Sequence, residues 1–286
     1  MPCSAASIPP ISGASLLEPY DFFWAARNGD LENAKSLFNA YDPGWRSVYW
    51  DETPLMGAAS RGQLEMVKWL IPQVDVNVKN SGEETALFMA VTKGHINIVE
   101  RLLEVSTLPD ALHAENGSAI AVAAQEGYTD LLKMLLPHGD PNDRACHGGI
   151  TNSSLTALQG AVLKQSVDCV RVLIAAGAEI DARVPLIDPG YRRLAGATAL
   201  MLAIERYDDE IAKLLIHAGA DVMAMLAVDS LTHAKVGTSA IDQARELAND
   251  GLVSYMLEQW ARRERDALAT FTKSGARAPR DRASTL

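Results

Sequence analysis

The sequence predicts an all-α solenoid of about seven helix-turn-helix units, and three observations carry that prediction. A short pattern recurs along the chain, its period stays near 33 residues over the first copies, and each copy is too short to enclose a core of its own. The pattern is a stretch of small residues, a glycine or polar residue, then a run ending in paired aliphatics. It reads AARNGDLENAKSLF from Ala25, AASRGQLEMVKWLI from Ala58, AVTKGHINIVERLL from Ala90 and AAQEGYTDLLKMLL from Ala123. It returns as AVLKQSVDCVRVLI from Ala161 and AIERYDDEIAKLLI from Ala203, with a degenerate copy from Ala244 through Gly251 to Leu257. The landmark position falls at Gly29, Gly62, Gly94, Gly127, Gln165, Asp208 and Gly251, giving spacings of 33, 32, 33, 38, 43 and 43 residues. The longer spacings read as insertions at one place in the unit.

The second copy shows why each unit is a helix pair. Thr53 caps a first helix with its hydroxyl, and Pro54 takes the first helical position, where a missing N–H costs nothing. Leu55, Ala58 and Ala59 give a small-residue face that a neighbouring helix approaches closely. Gly62 falls where a left-handed cap is wanted. Leu64, Val67, Leu70 and Ile71 then recur at the spacing of a second amphipathic helix. Helices of about ten residues do not persist alone, so neighbouring units must bury each other's faces.

Composition agrees with this class. The chain has 286 residues, 48% of them apolar, so it can bury a large core; only 6% are aromatic, so the core is mostly Ala, Leu, Val, Ile and Met. The net charge of −10 argues against a nucleic-acid-binding body. Charge is uneven: from Ala261 to Leu286 seven basic residues stand against three acidic ones, leaving the rest of the chain near −14. Cys3, Cys146 and Cys169 are odd in number and widely spaced, which fits neither a disulfide framework nor a zinc site and points to a reducing compartment. With no secretory signal and no apolar run of the ~20 residues a bilayer requires, a cytoplasmic location is expected.

The unit resembles the ankyrin repeat. Thr53-Pro54-Leu55, Ala58-Ala59 and Gly62 are similar to that family's T-P-L-H-x-A-A-x-x-G core, and Thr85-Ala86-Leu87, Thr156-Ala157-Leu158 and Thr198-Ala199-Leu200 to its T-A-L variant. Ala178-Glu179-Ile180-Asp181 and Gly219-Ala220-Asp221-Val222 resemble its turn into a hairpin finger. The resemblance covers residues 20–260, with 1–19 expected to be a flexible N-terminal segment and 261–286 a basic, partly disordered tail. It implies an adaptor or scaffold that binds a protein through finger loops and the concave face of the first helices. Where the family places His, this chain has Phe23, Met56, Phe88, Ala121, Gln159, Met201 and Asp242. The polar link made by that His is therefore expected to be absent throughout, with apolar packing in its place.

Three fingers are enlarged, at residues 143–154, 182–196 and 223–237. Their apolar residues either pack on the next finger or meet a partner. Tyr191, Arg192 and Arg193, with Leu186 and Ile187, are the leading candidates for contact, Tyr and Arg being frequent binding hot spots. Met225 is the candidate in the last finger. In the first finger, Trp45 and Tyr49 belong to a group with Tyr41 and Trp50 that either contacts a partner or seals the end of the array.

Catalysis is not expected. The chain has no G-x-S-x-G, no phosphate-binding glycine loop with Lys and no H-E-x-x-H, and its six histidines lack metal-ligand spacing. No cofactor, metal or small-molecule substrate is anticipated. An alternative to the adaptor reading is a peripheral anchor whose basic tail reaches a membrane or polyanionic surface. Ser284-Thr285-Leu286 also resembles a C-terminal ligand for PDZ domains.

Overall fold

A computed structural model describes residues 19–38, 44–47, 51–105, 113–114, 117–145, 155–184, 196–225 and 238–273. Among them are fourteen helices in seven consecutive pairs, confirming the all-α solenoid. The pairs are α1 (Pro19–Asn28) and α2 (Leu31–Phe38), α3 (Pro54–Ser60) and α4 (Leu64–Leu70), α5 (Ala86–Thr92) and α6 (Ile96–Leu103), and α7 (Ala119–Glu126) and α8 (Thr129–Leu135). They continue as α9 (Ala157–Leu163) and α10 (Val167–Ala175), α11 (Ala199–Glu205) and α12 (Asp209–Ala218), and α13 (Ala240–Glu246) and α14 (Asp250–Lys273). The first helix of each pair packs on the first helix of the next, and from α4 onward the second helices do likewise, which makes two layers. One apolar cluster runs from Phe22 to Met256.

Local sequence sets each pair. The hydroxyls of Thr53, Thr85, Thr156, Thr198 and Ser239 each accept the backbone N–H three residues on, and Ser118 accepts from Ile120. Each cap satisfies an otherwise orphaned donor and is worth about 1 kcal/mol. All seven residues of α3 are buried, as are six of seven in both α9 and α11. Such short helices exist only because two neighbours cover them.

Insertions fall where the spacing predicts, between the second helix of one unit and the first helix of the next. There β1 (His113–Ala114), β2 (Gly117–Ser118), β3 (Arg144–Ala145) and β4 (Leu155–Thr156) form an antiparallel sheet in that order. It joins the bases of two successive fingers. Val184 and Ala197 close the next finger by a backbone bond of 3.0 Å, and Met225 bridges to Ser239 in the last.

Two sequence expectations need correction. The left-handed turn residue in the last two units is Tyr207 (φ 56°) and Ala248 (φ 53°), not Asp208 and Gly251, so the final spacings are 42 and 41 residues. Asp208 instead caps α12 by accepting the Ile211 N–H at 3.0 Å, and Gly251 lies in the first turn of α14. Nor is the polar link absent throughout. Gln159 Oε1 accepts the Thr156 N–H at 3.0 Å while its Nε2 donates to the Ala182 carbonyl at 2.8 Å. Asp242 accepts the Ser239 N–H at 3.1 Å, and Met56 Sδ lies 3.3 Å from the Thr53 nitrogen. Apolar side chains stand in only at Phe23, Phe88, Ala121 and Met201, all buried.

Candidate functional site

The burial of the first helices confines the accessible part of that layer to one place. Each first helix ends at a left-handed residue, and the residue just before it is exposed in units two to six: Arg61, Lys93, Glu126, Lys164 and Arg206. Four of these are cations sitting at the C-caps of α3, α5, α9 and α11. Because the first helices lie side by side, equivalent positions form a row along the array. Lys164 Nζ reaches Glu126 in the preceding unit at 3.6 Å, which ties two neighbouring positions of that row together. Beside it are Thr92, Gln125 and Leu163, all half-buried. Tyr207, 68% exposed, stands next to Arg206.

The turn beneath the row is built differently along the chain. A Cβ on Gly29, Gly62 or Gly94 would lie 2.3 Å from Gln63 Oε1, 2.8 Å from His95 Cε1 and 2.9 Å from Tyr128 Cζ respectively. In those units glycine is favoured twice, by its positive φ and by the close approach of the next unit's helix-start side chain, which a Cβ would displace. His95 Nε2 additionally lies 3.3 Å from the Ser60 carbonyl, joining two units. In the last three units Gln165, Tyr207 and Ala248 adopt the same conformation with a side chain present.

The first unit is sealed by aromatics. Phe22, Phe38 and Trp69 meet with ring centroids 5.2 to 6.4 Å apart. Trp45 is half-buried and meets Phe23 edge-on at 6.3 Å, so this candidate leans on α1. The Arg27 guanidinium lies 6.0 Å from the Phe23 and Trp24 rings and pairs with Glu52 at 2.6 Å. Burial raises the Glu52 carboxyl above its usual range in spite of Arg27.

The later fingers are stitched together at their bases. Asn142 accepts the Glu179 N–H at 2.7 Å, and the Asp181 carboxylate accepts the Asp221 N–H at 3.0 and 3.2 Å. Arg183 donates to the carbonyls of Gly196 (3.1 Å) and Met225 (2.7 Å). Desolvation raises the Asp181 carboxyl, opposed by the Asp221 N–H. Met225 is 57% exposed and Met223 46%, so the side chain of that candidate is free while its carbonyl is held. Tyr191, Arg192, Arg193, Leu186, Ile187 and Tyr49 lie outside the described residues. Sequence reasoning missed the row and Tyr207. The available signal was a charged residue repeatedly preceding the turn position, hidden in the sixth unit by taking Asp208 for the landmark.

A groove of about 700 Å³ lies on the second-helix layer, lined by Gly94, Tyr128, Asp130, Lys133, Asp168 and Arg171. Its cations are already paired, Lys133 with Asp130 and Arg171 with Glu210, both at 3.3 Å. At the far end Arg263 of α14 donates to the carbonyls of Ile216 and Ala220, closing the end of α12. One of the tail's cations is thus held against the array. Among the described residues no group of three His, Cys, Asp or Glu could hold a metal, and no helix is long and apolar enough to cross a membrane.

Comparison with known proteins agrees with this geometry. The model of ankyrin repeats in three copies matches residues 22–111 and 107–184, and the single ankyrin repeat model matches 195–225. The chain belongs to the ankyrin repeat family. Its fold is similar to the human ASB11 ankyrin repeat domain, with a TM-score of 0.58 and 23% identity, covering 83% of this chain and 96% of that one. It is also similar to an ankyrin repeat domain from Acinetobacter baumannii AYE, with a TM-score of 0.55 and 24% identity over 71% of this chain and 100% of the other. Among curated proteins it is 30% identical to the Gallus gallus nuclear factor NF-kappa-B p105 subunit over 149 residues, 51% of this chain and 14% of that protein. It is 27% identical to the Oryza sativa subsp. japonica probable E3 ubiquitin-protein ligase XBOS32 over 186 residues, 54% of this chain and 37% of that protein. The chain thus spans well under half the length of these curated relatives. Ankyrin repeat domains are in general protein–protein interaction modules.

Proposed function

We propose that the chain is a non-catalytic adaptor that holds a protein partner along the exposed ends of its first helices, with the bases of the later fingers as a second point of contact. The carrying observation is the contrast between first helices buried almost throughout and the exposed row Arg61, Lys93, Lys164, Arg206, with Tyr207 at its end. Tyr207 is a large amphipathic side chain held out in solvent on a backbone that favours glycine, a cost of about 1–2 kcal/mol that packing does not recover. Tyr and Arg together are the residue types that most often anchor interfaces. Met223 and Met225 are exposed at the base of the last finger.

The test is a displayed peptide library panned against the full chain. Selected peptides bind the wild-type chain and lose at least about tenfold in affinity in Arg206→Ala and Tyr207→Ala, but not in Lys68→Ala, on the second-helix layer. Binders indifferent to both first-layer variants contradict the reading.

A further inference from the structure

In units two to six the cations of the two layers differ in their partners. Lys213 of α12 is the exception on the second layer, with no salt bridge among the described residues. In the end units the first-helix cations Arg27 and Arg245 are paired. On the second-helix layer Lys35, Lys68, Arg101 and Lys133 each pair with an acid three residues away in sequence. At the first-helix ends, Arg61, Lys93 and Arg206 have no salt bridge among the described residues, and Lys164 has one at 3.6 Å. A helix C-terminus attracts positive charge, and that attraction could place a cation at any helix end. It does not explain the pattern, because the C-caps of the second helices are Ile71, Glu104, Leu136, Ala176 and Gly219. Four cations are thus set in one layer of a chain whose net charge is −10.

We infer that the segment held on this row is an extended acidic peptide, read by one cation in each of units two, three, five and six. The inference rests on the adaptor reading and adds the partner's chemistry to it. Neighbouring first helices lie about 10 Å apart, which an extended chain covers in about three residues. Cations in units two, three, five and six, with Glu126 in unit four, therefore call for acids at about i, i+3, i+9 and i+12 and a neutral residue between the two pairs. The order is the same read in either direction, so neither chain polarity is excluded. Glu126, Glu205 and Asp208 are acids within or beside the row, and Glu126 is paired with Lys164. Glu52, itself paired with Arg27, acts on Arg61 through its charge.

Gln125 favours an extended chain over a helix. It lies beside Glu126 in the gap of the row, against Gly160, where an added Cβ would come within 2.5 Å of its Cγ. Its Nε2 is buried without a hydrogen-bond partner among the described residues. Turned outward, that amide satisfies a backbone carbonyl, which an extended chain presents and a helix keeps for itself.

The experiment titrates the full chain with a labelled 14-residue peptide carrying Glu at positions 1, 4, 10 and 13. A Glu→Gln version and a single-stranded oligonucleotide of equal length serve as controls. The acidic peptide is expected to bind with micromolar Kd. That affinity falls at least about tenfold in the Gln version, in the R61A/K93A/R206A triple variant and as salt rises to about 0.5 M, but not in K68A/K133A. A Lys version of the peptide is expected to bind R61E/K93E/R206E, a charge swap that a folding defect would not reproduce. Equal binding of the Gln version, indifference to the triple variant, or tighter binding of the oligonucleotide overturns the inference. If instead an uncharged library peptide binds and is lost in Tyr207→Ala while the acidic peptide does not bind, the docking row stands and its acidic preference falls.

Discussion

The first four units and the last three reach the same turn by different chemistry. In the early units glycine occupies the left-handed position; in the first three the next unit's Gln63, His95 or Tyr128 closes over it, and in the fourth a Cβ on Gly127 would meet Lys164 Cγ at 3.4 Å. In the later units Gln165, Tyr207 and Ala248 hold that conformation with side chains, and polar links appear at Gln159 and Asp242. The early half is optimised for close unit-to-unit contact. The later half accepts local strain and longer fingers, which is where exposed Tyr207, Met223 and Met225 are found. Departures from the repeat thus collect in the half with the exposed anchors, as expected where a local rule is broken for function.

Substitutions at equivalent positions sharpen the contrast. Gly62→Val is expected to destabilise by at least about 2 kcal/mol, combining a strained φ with a collision at His95. Chemical denaturation reads this, and a loss below about 0.5 kcal/mol would erase the distinction between the halves. Gln159→Leu comes next, at about 1–3 kcal/mol, because it orphans the buried Thr156 N–H and the Ala182 carbonyl. Its effect should appear in amide exchange across both the fifth unit and the following finger; a change confined to α9 would show that the link between them carries no coupling. In the opposite direction, Ala248→Gly should stabilise by about 0.5–1 kcal/mol, since relief of the left-handed backbone outweighs the added chain entropy. A destabilised Ala248→Gly variant would mean that the methyl group packs.

The smallest expected effect is on acid sensitivity. The Ser239 hydroxyl and N–H hold the Asp242 carboxyl below its usual range. The folded-state value lies below the unfolded one, so the contribution to stability is present above the unfolded value and disappears as pH falls through the folded one. Asp242→Asn should flatten that part of the stability profile at acid pH and leave the neutral region nearly parallel. An unchanged acid limb in the variant would remove Asp242 from the account.

The repeat was legible because its signals are local: a capping Thr, a small-residue face and a glycine at fixed spacing all lie within one unit. The site was less so. Arg61, Lys93 and Arg206 become a row only when first helices stack side by side, and their lack of a salt bridge among the described residues depends on what lies across units. The Arg27–Glu52 pair spans 25 residues, and the Gln159 link reaches a carbonyl 23 residues away. Trp45 was identified by residue type, but its turn onto Phe23 depends on the path of the finger. The misplaced landmark at Asp208 concealed Tyr207, since a motif search looks for glycine where the backbone requires only a positive φ.

The central claim is that partners lie along the ends of the first helices. Its most direct test is hydrogen exchange of the full chain with and without a selected peptide bound. Added protection is expected at the backbone around Arg61–Gly62, Lys93–Gly94, Lys164–Gln165 and Arg206–Tyr207, with α4, α6 and α8 unchanged. Protection confined to the second-helix layer or to α14 would contradict it.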